Sequence, residues 1–122
     1  MKLILAIIRV DKMGETKQAL GDVGLPSFTV MPVLGRGSGC GSLKKNEKIT
    51  SDFGEDILYK VPRLKSKRMI TLVVTDVKKK LAIETIIKVN HTAKSGDGKI
   101  FVINTLDSFT IQTGVSGDVS LD

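Results

Sequence analysis

The 122-residue sequence contains few aromatic side chains, no tryptophan and a single cysteine. Aromatic residues make up 4% of the chain against 41% for all apolar residues, so a core must be built mainly from Ile, Val and Leu. The lone Cys40 excludes an internal disulfide bond and favours a reducing compartment, from which we expect a cytoplasmic protein. One cysteine and one histidine also offer no ligand spacing for a metal ion, so no metal site is expected.

Long apolar runs are absent as well. No stretch approaches the roughly 20 apolar residues that a membrane-spanning helix requires. A chain of this length is most simply a single domain, residues 1–122, with one core.

Positive charge is concentrated in the middle of the chain. Between Gly35 and Arg68 there are nine Lys and Arg residues against four Asp and Glu, a balance of +5 out of the total of +6. A basic surface attracts nucleic acids, membranes, phosphorylated ligands or acidic proteins. Nucleic-acid binders usually add stacking aromatic residues, and this segment has only Phe53 and Tyr59, so we expect no nucleic-acid partner.

Four short segments rich in β-branched residues are predicted to be strands, and two segments show helical periodicity. The predicted strands are residues 3–10, 28–34, 68–74 and 99–105, with a short fifth run at 109–112. The predicted helices are residues 12–23 and 77–89. The first helix carries an apolar stripe formed by Met13, Thr16, Leu20 and Val23. The second is predicted to place Val77, Leu81, Ile86 and Ile87 close to one face, with lysines 78, 79 and 80 on the other.

The order β-α-β-β-α-β predicts a ferredoxin-like α+β domain, in which two helices cover one face of an antiparallel sheet. The uncovered face would also carry apolar residues. Self-association into a closed symmetric ring is the simplest way to cover it.

Residues 35–66 interrupt this pattern. They show no sustained period of 2 or 3.6, and glycines occupy positions 35, 37, 39 and 41. A loop of about thirty residues is long for a compact domain and is usually functional or disordered. We expect it to be mobile in isolation and to become ordered when a ligand or partner binds, although a tolerated insertion would look the same.

The segment Thr92 to Phe101 joins the second helix to the following strand and contains Gly96, Asp97, Gly98 and Lys99. Glycines allow backbone N–H groups to converge on an anion, and lysines add positive charge, so a phosphate is a reasonable ligand. The same residues also fit a simple tight turn between a helix and a strand.

Three features together resemble the PII signal-transduction family: the element order, the long basic loop after the second strand, and Gly-Asp-Gly-Lys-Ile-Phe-Val after the second helix. The likeness extends from Ile4 to Gly114. It places the family's T-loop at about residues 35–66, its B-loop at about 91–99 and its C-terminal tail at about 110–122. It implies a trimer, homomeric or heteromeric, or a higher assembly, that acts as a signal protein and not as an enzyme.

Two short motifs favour one branch of that family. Residues 67–70 (Lys-Arg-Met-Ile) and 86–90 (Ile-Ile-Lys-Val-Asn) are similar to those of PII proteins encoded beside nitrogenase, and most similar to the second member of that pair. The resemblance implies control of the nitrogenase catalytic component together with a sister PII protein.

The resemblance also implies a site for ATP or ADP, or for AMP, in the cleft between neighbouring subunits. Ile7 and Val73 would contact the adenine, with Thr29 at its edge. 2-Oxoglutarate with Mg²⁺ would bind nearby, its carboxylate at Lys67. The residues implied around the phosphates are Gly35, Gly37, Gly96, Asp97, Gly98 and Lys99.

Four positions depart from the family pattern. The glutamine that bridges magnesium and 2-oxoglutarate would fall at Gly39, and two phosphate-binding arginines would fall at Thr110 and Gln112. A charge-assisted contact is worth ~1.5–3 kcal/mol, so the loss of two predicts a nucleotide affinity that is weaker on the order of a hundredfold or more. Ala93 replaces a B-loop glycine and restricts the backbone there.

Two other functions are weighed against this one. A PII-type regulator can instead plug an ammonium transporter, which requires a narrow, extended loop tip. An enzyme acting on phosphorylated substrates would use His91 as a nucleophile or a general acid. However, no carboxylate or cysteine pairs with His91 in the sequence, and a cationic histidine at the end of a helix explains it more simply.

Overall fold

The computed structural model describes residues 1–37, 43–50, 56–62 and 64–121, and for 43–50 and 56–62 it describes the backbone. The strands and helices, in chain order, are β1 (Lys2–Arg9), α1 (Met13–Asp22), β2 (Thr29–Gly35), β3 (Leu43–Thr50), β4 (Asp56–Pro62), β5 (Lys65–Val74), α2 (Lys79–Asn90) and β6 (Lys99–Asn104).

Four of the strands form one antiparallel sheet in the order β2-β5-β1-β6, so β1 is internal and β2 and β6 are the edges. Both helices pack on one face of this sheet. Apart from β3 and β4, the elements follow the order β-α-β-β-α-β, which confirms the predicted ferredoxin-like α+β fold. The long segment between the second and third predicted strands lies between β2, which ends at Gly35, and β5, which begins at Lys65.

The core lies between the sheet and the helices. Alternate residues of β1 point to the helices, and the register places Ile4 opposite Leu72 of β5 and Val102 of β6. The predicted stripe of α1 is confirmed, because Thr16 and Leu20 are buried and Met13 and Val23 pack against the core. The fully or nearly buried apolar residues are Ile4, Ala6, Ile8, Leu20, Leu25, Ile70, Leu72, Val74, Ala82 and Ile86.

The opposite face of the sheet has no helix on it and is also apolar. The intervening residues of β1 point to this side, where the register sets Leu3 beside Ile103 and Leu5 beside Phe101. Phe101 and Ile103 are about half exposed (48% and 46%), as is Met31 of β2 (47%). An apolar surface of this kind is typical of an interface.

The prediction for α2 is wrong in part. Val77 is 91% exposed and precedes the helix, in a short 3₁₀ turn at Asp76–Lys78. The buried positions of α2 are Ala82, Ile86 and Asn90, spaced four residues apart. Because α2 begins after this turn, its buried face differs from the face that the sequence pattern predicts. Leu81 and Ile87 lie beside the buried stripe and stay 40% and 51% exposed.

Two further predictions need correction. Residues 35–66 contain regular structure, because β3 and β4 pair as an antiparallel two-stranded sheet with a register shift between Lys44 and Glu47. A two-stranded ribbon can form without the regular alternation of apolar and polar residues that marks a strand with one face on a core. The predicted strand at 109–112 is instead a turn with one isolated bridge, Phe109 to Ser116. Whether residues 35–66 are mobile before binding stays a prediction.

None of the helices in the described part of the chain combines the length and the apolar character that a membrane span needs.

Candidate functional site

The loop from Thr92 to Gly98, here called the glycine loop, joins α2 to β6. Gly96 and Gly98 have positive φ angles of 95° and 109°, which non-glycine residues rarely adopt. Gly98 also packs on the backbone of β1: a Cβ atom there would lie 1.8 Å from the carbonyl oxygen of Ile7. Only glycine fits at this position, so the loop is held close against the end of β1.

The carboxylate of Asp97 stabilises the glycine loop through hydrogen bonds to Thr92 and an ion pair with Arg9. It accepts hydrogen bonds from the backbone N–H of Thr92 at 2.7 Å and from the Thr92 hydroxyl. It also forms an ion pair with Arg9, whose Nη2 lies 3.0 Å from Oδ1. The Thr92 hydroxyl bond, then the Thr92 backbone bond and the Arg9 guanidinium, hold the pKa of Asp97 well below its usual range. Asp97 is therefore an ionised residue that shapes the loop.

Two cationic side chains from other strands reach the glycine loop. Arg9, at the end of β1, also donates to the carbonyl of Ser95 at 2.9 Å, and Lys67 of β5 donates to the carbonyl of Gly96 at 2.7 Å. The space beside Gly96 lies between them: a Cβ built there would be 3.4 Å from Arg9 Nη2 and 3.6 Å from Lys67 Nζ. A pair of cations thus meets at the turn of the loop.

Lys67 lies close to the Arg9 guanidinium. Burial, and next the nearby Arg9 guanidinium, lower the pKa of Lys67 from its usual value, and the Asp97 carboxylate offsets part of this effect. The hydrogen-bond acceptor of Lys67 is a neutral carbonyl and not a carboxylate. An incoming oxyanion would relieve the repulsion between the two cations and give Lys67 a charged partner.

Several of the predicted site residues come together here. Ile7 contacts Gly98 through its backbone and is paired in register with Lys99. A Cβ at Gly35 would lie 4.0 Å from Cγ of Lys67, which brings the end of β2 to the same place. Gly37 follows two residues later and is exposed. The chain therefore clusters Ile7, Gly35, Lys67, Gly96, Asp97, Gly98 and Lys99 at one end of the sheet.

Val73 and Thr29 are not part of this cluster. Val73 is paired with Leu3, four residues from Ile7 along β1, which corresponds to about 13 Å. Thr29 is paired with Thr71, on an edge strand two strands away from β1. Within one chain, Ile7 and Val73 do not contact the same small group.

Arg9 and Thr92 were missed as functional candidates in the sequence. A signal for Arg9 exists, because a charged residue that closes a continuous apolar strand must find a polar partner. Its partner is 88 residues away in the sequence, so the pairing could not be read from local spacing.

The positions that depart from the expected pattern have different outcomes. Ala93 has a φ of 63°, so it adopts the left-handed conformation that a glycine would adopt without cost. Thr110 and Gln112 lie in the C-terminal turn that the Phe109–Ser116 bridge closes, and Gly39 falls outside the described residues.

His91 is exposed at the end of α2, where its backbone N–H donates to the carbonyl of Ile87. The residues that the structure describes contain no group of three or more His, Cys, Asp or Glu side chains arranged to hold a metal ion.

Comparison with known proteins finds matches over nearly the whole chain. The family described as "Nitrogen regulatory protein P-II" matches residues 1–115 of the chain. The chain is 40% identical over 121 residues to "Nitrogen fixation nifHD region GlnB-like protein 2" of Methanothermobacter marburgensis, covering 99% of this chain and 100% of that protein. It is 38% identical over 128 residues to a protein of the same description from Methanococcus maripaludis, with the same coverage.

A third relative is "Nitrogen regulatory protein GlnK2" of Haloferax mediterranei, 36% identical over 117 residues, which cover 96% of this chain and 88% of that protein. These matches span nearly the whole chain, including β1, the glycine loop and β6. On this evidence of length and identity, the chain belongs to the nitrogen regulatory protein P-II family of regulatory signal proteins.

Proposed function

We propose that this chain is a non-enzymatic signal protein that binds an adenine nucleotide, ATP or ADP, at the glycine loop and controls nitrogenase by direct protein binding. The observation that carries the proposal is the meeting of Arg9 and Lys67 at Gly96, where burial, and next the neighbouring Arg9, lower the pKa of Lys67. A phosphate chain supplies negative charge to these two cations. The dicarboxylate 2-oxoglutarate, with or without Mg²⁺, would supply it to Lys67 in the same way.

The positions of Ile7 and Val73 favour a site shared between copies of the chain. They lie about 13 Å apart on the sheet, so a single adenine can contact both only if a second subunit provides one of them. The apolar, helix-free face of the sheet offers the surface for that association, with Leu5, Phe101 and Met31 on it. We propose a trimer, either of this chain alone or with a sister PII protein.

The choice of target rests on the relatives. Two of them are described as proteins of a nitrogen fixation region, and both match over their full length. We propose that the target is the nitrogenase catalytic component in the cytoplasm, and that the basic segment between β2 and β5 contacts it. Ligand binding would bias that segment between two states, to the extent that the ligand prefers one of them.

Nucleotide binding is tested by calorimetry with ATP, ADP and AMP, each with and without 2-oxoglutarate and Mg²⁺. The test variant is Lys67→Gln and the control is Lys17→Gln, an exposed lysine of α1. Loss of one charge-assisted contact should weaken 2-oxoglutarate, or the nucleotide phosphates, about tenfold or more, and the control should not. Absence of binding by every ligand, or equal binding by both variants, would contradict the proposal.

The target is tested by affinity capture from nitrogen-fixing cells, with the full chain and with a variant lacking residues 44–56. We expect capture of the nitrogenase catalytic component by the full chain and none by the deletion variant. Native mass spectrometry should show the same assembly for both. Capture of an ammonium transporter instead would favour the other PII-type role, and loss of assembly in the deletion variant would contradict the assigned role of the segment.

A further inference from the structure

The glycine loop carries two hydroxyl groups, and their surroundings differ. The Thr92 hydroxyl donates to the Asp97 carboxylate and accepts from the backbone N–H of Lys94 at 3.3 Å. Ser95 is exposed, and its hydroxyl forms no hydrogen bond with the residues that the structure describes. The Ser95 hydroxyl is therefore available to a reagent from solution, whereas the Thr92 hydroxyl helps to hold the loop together.

Two cations bond to the backbone at Ser95 and at the next residue. Nη2 of Arg9 donates to the carbonyl oxygen of Ser95 at 2.9 Å, which places it within about 5 Å of the Ser95 Cα atom. Nζ of Lys67 donates to the carbonyl oxygen of Gly96 at 2.7 Å. A phosphate group on Oγ of Ser95 carries its oxygens about as far from the same Cα atom. Rotation of the unbonded side chain therefore brings such a phosphate within hydrogen-bonding distance of Arg9.

The charge around Ser95 favours an added anion. The loop, its two cationic partners and the adjoining strand start contain Arg9, Lys67, Lys94 and Lys99 against the single carboxylate of Asp97, a balance of +3. A phosphoserine carries a charge of about −1.5 to −2 at pH 7, so this balance stays positive after modification. Charge-assisted hydrogen bonds to Arg9 and Lys67 would hold the phosphate in place.

Ser116, in the C-terminal turn, provides a comparison. It is exposed as well, but residues 106–121 contain no lysine or arginine and two aspartates, Asp107 and Asp118. The Asp107 carboxylate accepts from the backbone N–H of Gly117, the residue next to Ser116, at 3.0 Å. A phosphate on Ser116 would meet like charge, so the neighbouring cations, and not exposure alone, distinguish Ser95.

We propose that Ser95 is a phosphorylation site whose phosphate lies beside Gly96, between Arg9 and Lys67. The donor is a nucleoside triphosphate bound to a separate serine kinase. Oγ of Ser95 forms the new bond to the γ-phosphorus, the bond from that phosphorus to the β–γ bridging oxygen breaks, and the nucleoside diphosphate leaves. The hydroxyl proton passes to a base of the kinase.

In the phosphorylated chain the glycine loop carries its own anion at the place where a free ligand would bind. The phosphate therefore excludes the phosphate chain of a nucleotide, or the carboxylate of 2-oxoglutarate, from Arg9 and Lys67. This exclusion rests on the proposed function, whereas the modification and its contact with Arg9 do not.

The contacts are tested with the full chain carrying phosphoserine, introduced site-specifically, at position 95 or, as the control, at position 116. Phosphoserine at 95 should raise the midpoint of thermal unfolding by about 4 °C or more, and phosphoserine at 116 should not raise it. Arg9→Gln should remove most of the gain, and Lys67→Gln serves in its place if Arg9→Gln does not fold. An equal midpoint with and without the phosphate at 95, or a gain that neither variant reduces, would overturn the inference.

Exclusion of the ligand is measured by calorimetry with ATP and with 2-oxoglutarate. Phosphoserine at 95 should weaken whichever of them binds the unmodified chain about tenfold or more, because the ligand loses a charge-assisted contact. Unchanged affinity would overturn the inference. Failure of the unmodified chain to bind either ligand would contradict the proposed function, and the thermal comparison then decides this inference by itself.

The presence of the phosphate in cells is tested by peptide mass spectrometry of the chain purified from nitrogen-fixing cells and from cells supplied with ammonium. We expect phosphate on Ser95 in at least one of the two samples, with Ser116 unmodified in both. Absence of phosphate from Ser95 in both samples would overturn the inference, and so would phosphate on Ser116 instead.

Discussion

The glycine loop and the C-terminal segment, residues 106–121, are both irregular, and they are held in different ways. The glycine loop is held by side chains of other strands, through Arg9 and Lys67. The C-terminal segment is held by its own backbone: Thr110 N–H bonds to Val115 O at 2.8 Å, and Gly114 N–H bonds to Thr110 O at 2.7 Å. The first is built into the domain, and the second is a self-contained turn on its surface.

This difference has a consequence for ligand sensing. The cations that hold the glycine loop are the ones an anion would bind, so occupancy and loop conformation are coupled through the same atoms. The C-terminal turn has no such link among the described residues, and it exposes Leu106 and Ile111 completely. We therefore expect changes in the glycine loop to alter ligand binding and stability together, and changes in the C-terminal turn to alter them separately.

The largest effect is expected from Gly98→Ala. The new Cβ would overlap the carbonyl of Ile7, so β1 and the loop must separate, and the free energy of unfolding should fall by about 3 kcal/mol or more. Gly114→Ala is the matched change in the C-terminal turn, at φ 72° and with open space around it. It should lose only the ~1–2 kcal/mol of a left-handed alanine. Urea denaturation measures both, and equal losses would contradict the contrast between the two regions.

The double variant Thr110→Arg, Gln112→Arg restores charge to the C-terminal turn. Two added charge-assisted contacts should raise nucleotide affinity by about a hundredfold or more, with little change in the free energy of unfolding. Calorimetry with ATP measures the gain. The control is Thr110→Gln with the native Gln112, which changes size without adding charge and should give no gain. An unchanged affinity in the double variant would show that this turn does not reach the nucleotide.

A smaller, pH-dependent effect is expected from Asp97→Asn. The pKa of Asp97 in the folded protein lies below its unfolded value of about 3.9, so the ionised carboxylate stabilises the fold above that pH. This contribution is lost as the pH falls through the folded pKa. The variant should therefore be less stable than the native chain at pH 7, by an amount that is constant down to about pH 5 and shrinks below about pH 4.

Urea denaturation across this pH range provides the measurement. Thr92→Val, which removes the hydroxyl that bonds to Asp97, should show part of the same dependence. A stability difference between Asp97→Asn and the native chain that does not change with pH would argue against an ionic role for Asp97.

The smallest effect is expected from Ala93→Gly, and it is a gain. Relief of the left-handed alanine, ~1–2 kcal/mol, exceeds the extra entropy of an unfolded glycine, ~0.4–1 kcal/mol, so the net stabilisation should be about 0.5–1 kcal/mol. Ala19→Gly in α1 is the control and should destabilise by about 1 kcal/mol. Thermal denaturation should move the two variants in opposite directions, and a loss in Ala93→Gly would show that the alanine is not strained.

Much of the fold could be predicted because the pattern of each element agrees with its place in the sheet. The apolar run of β1 and the stripe of α1 both mark segments that contribute to the core, through residues such as Ile4 and Leu20. The prediction failed for Val77, where a 3₁₀ turn precedes α2, and for β3 and β4, which pair with each other in a separate two-stranded sheet. Local periodicity does not predict a short 3₁₀ turn before a helix, and residues 43–50 and 56–62 lack the regular alternation on which strand prediction depends.

The site was predicted in part for a related reason. The glycines at 96 and 98 predict an unusual backbone conformation, and both residues have positive φ angles in the structure. Arg9 and Asp97 meet only through the tertiary fold, with 88 positions between them, and no spacing rule connects them.

The internal position of β1 affects how the chain folds as it is synthesised. Its two neighbours are β5, which begins at Lys65, and β6, which ends at Asn104. β1 therefore leaves the ribosome well before either of the strands that cover its edges. Pairing between strands so far apart in the sequence slows folding and prolongs the time during which the unpaired edges of β1 can aggregate. β1 is therefore where a nascent chain would most need a chaperone.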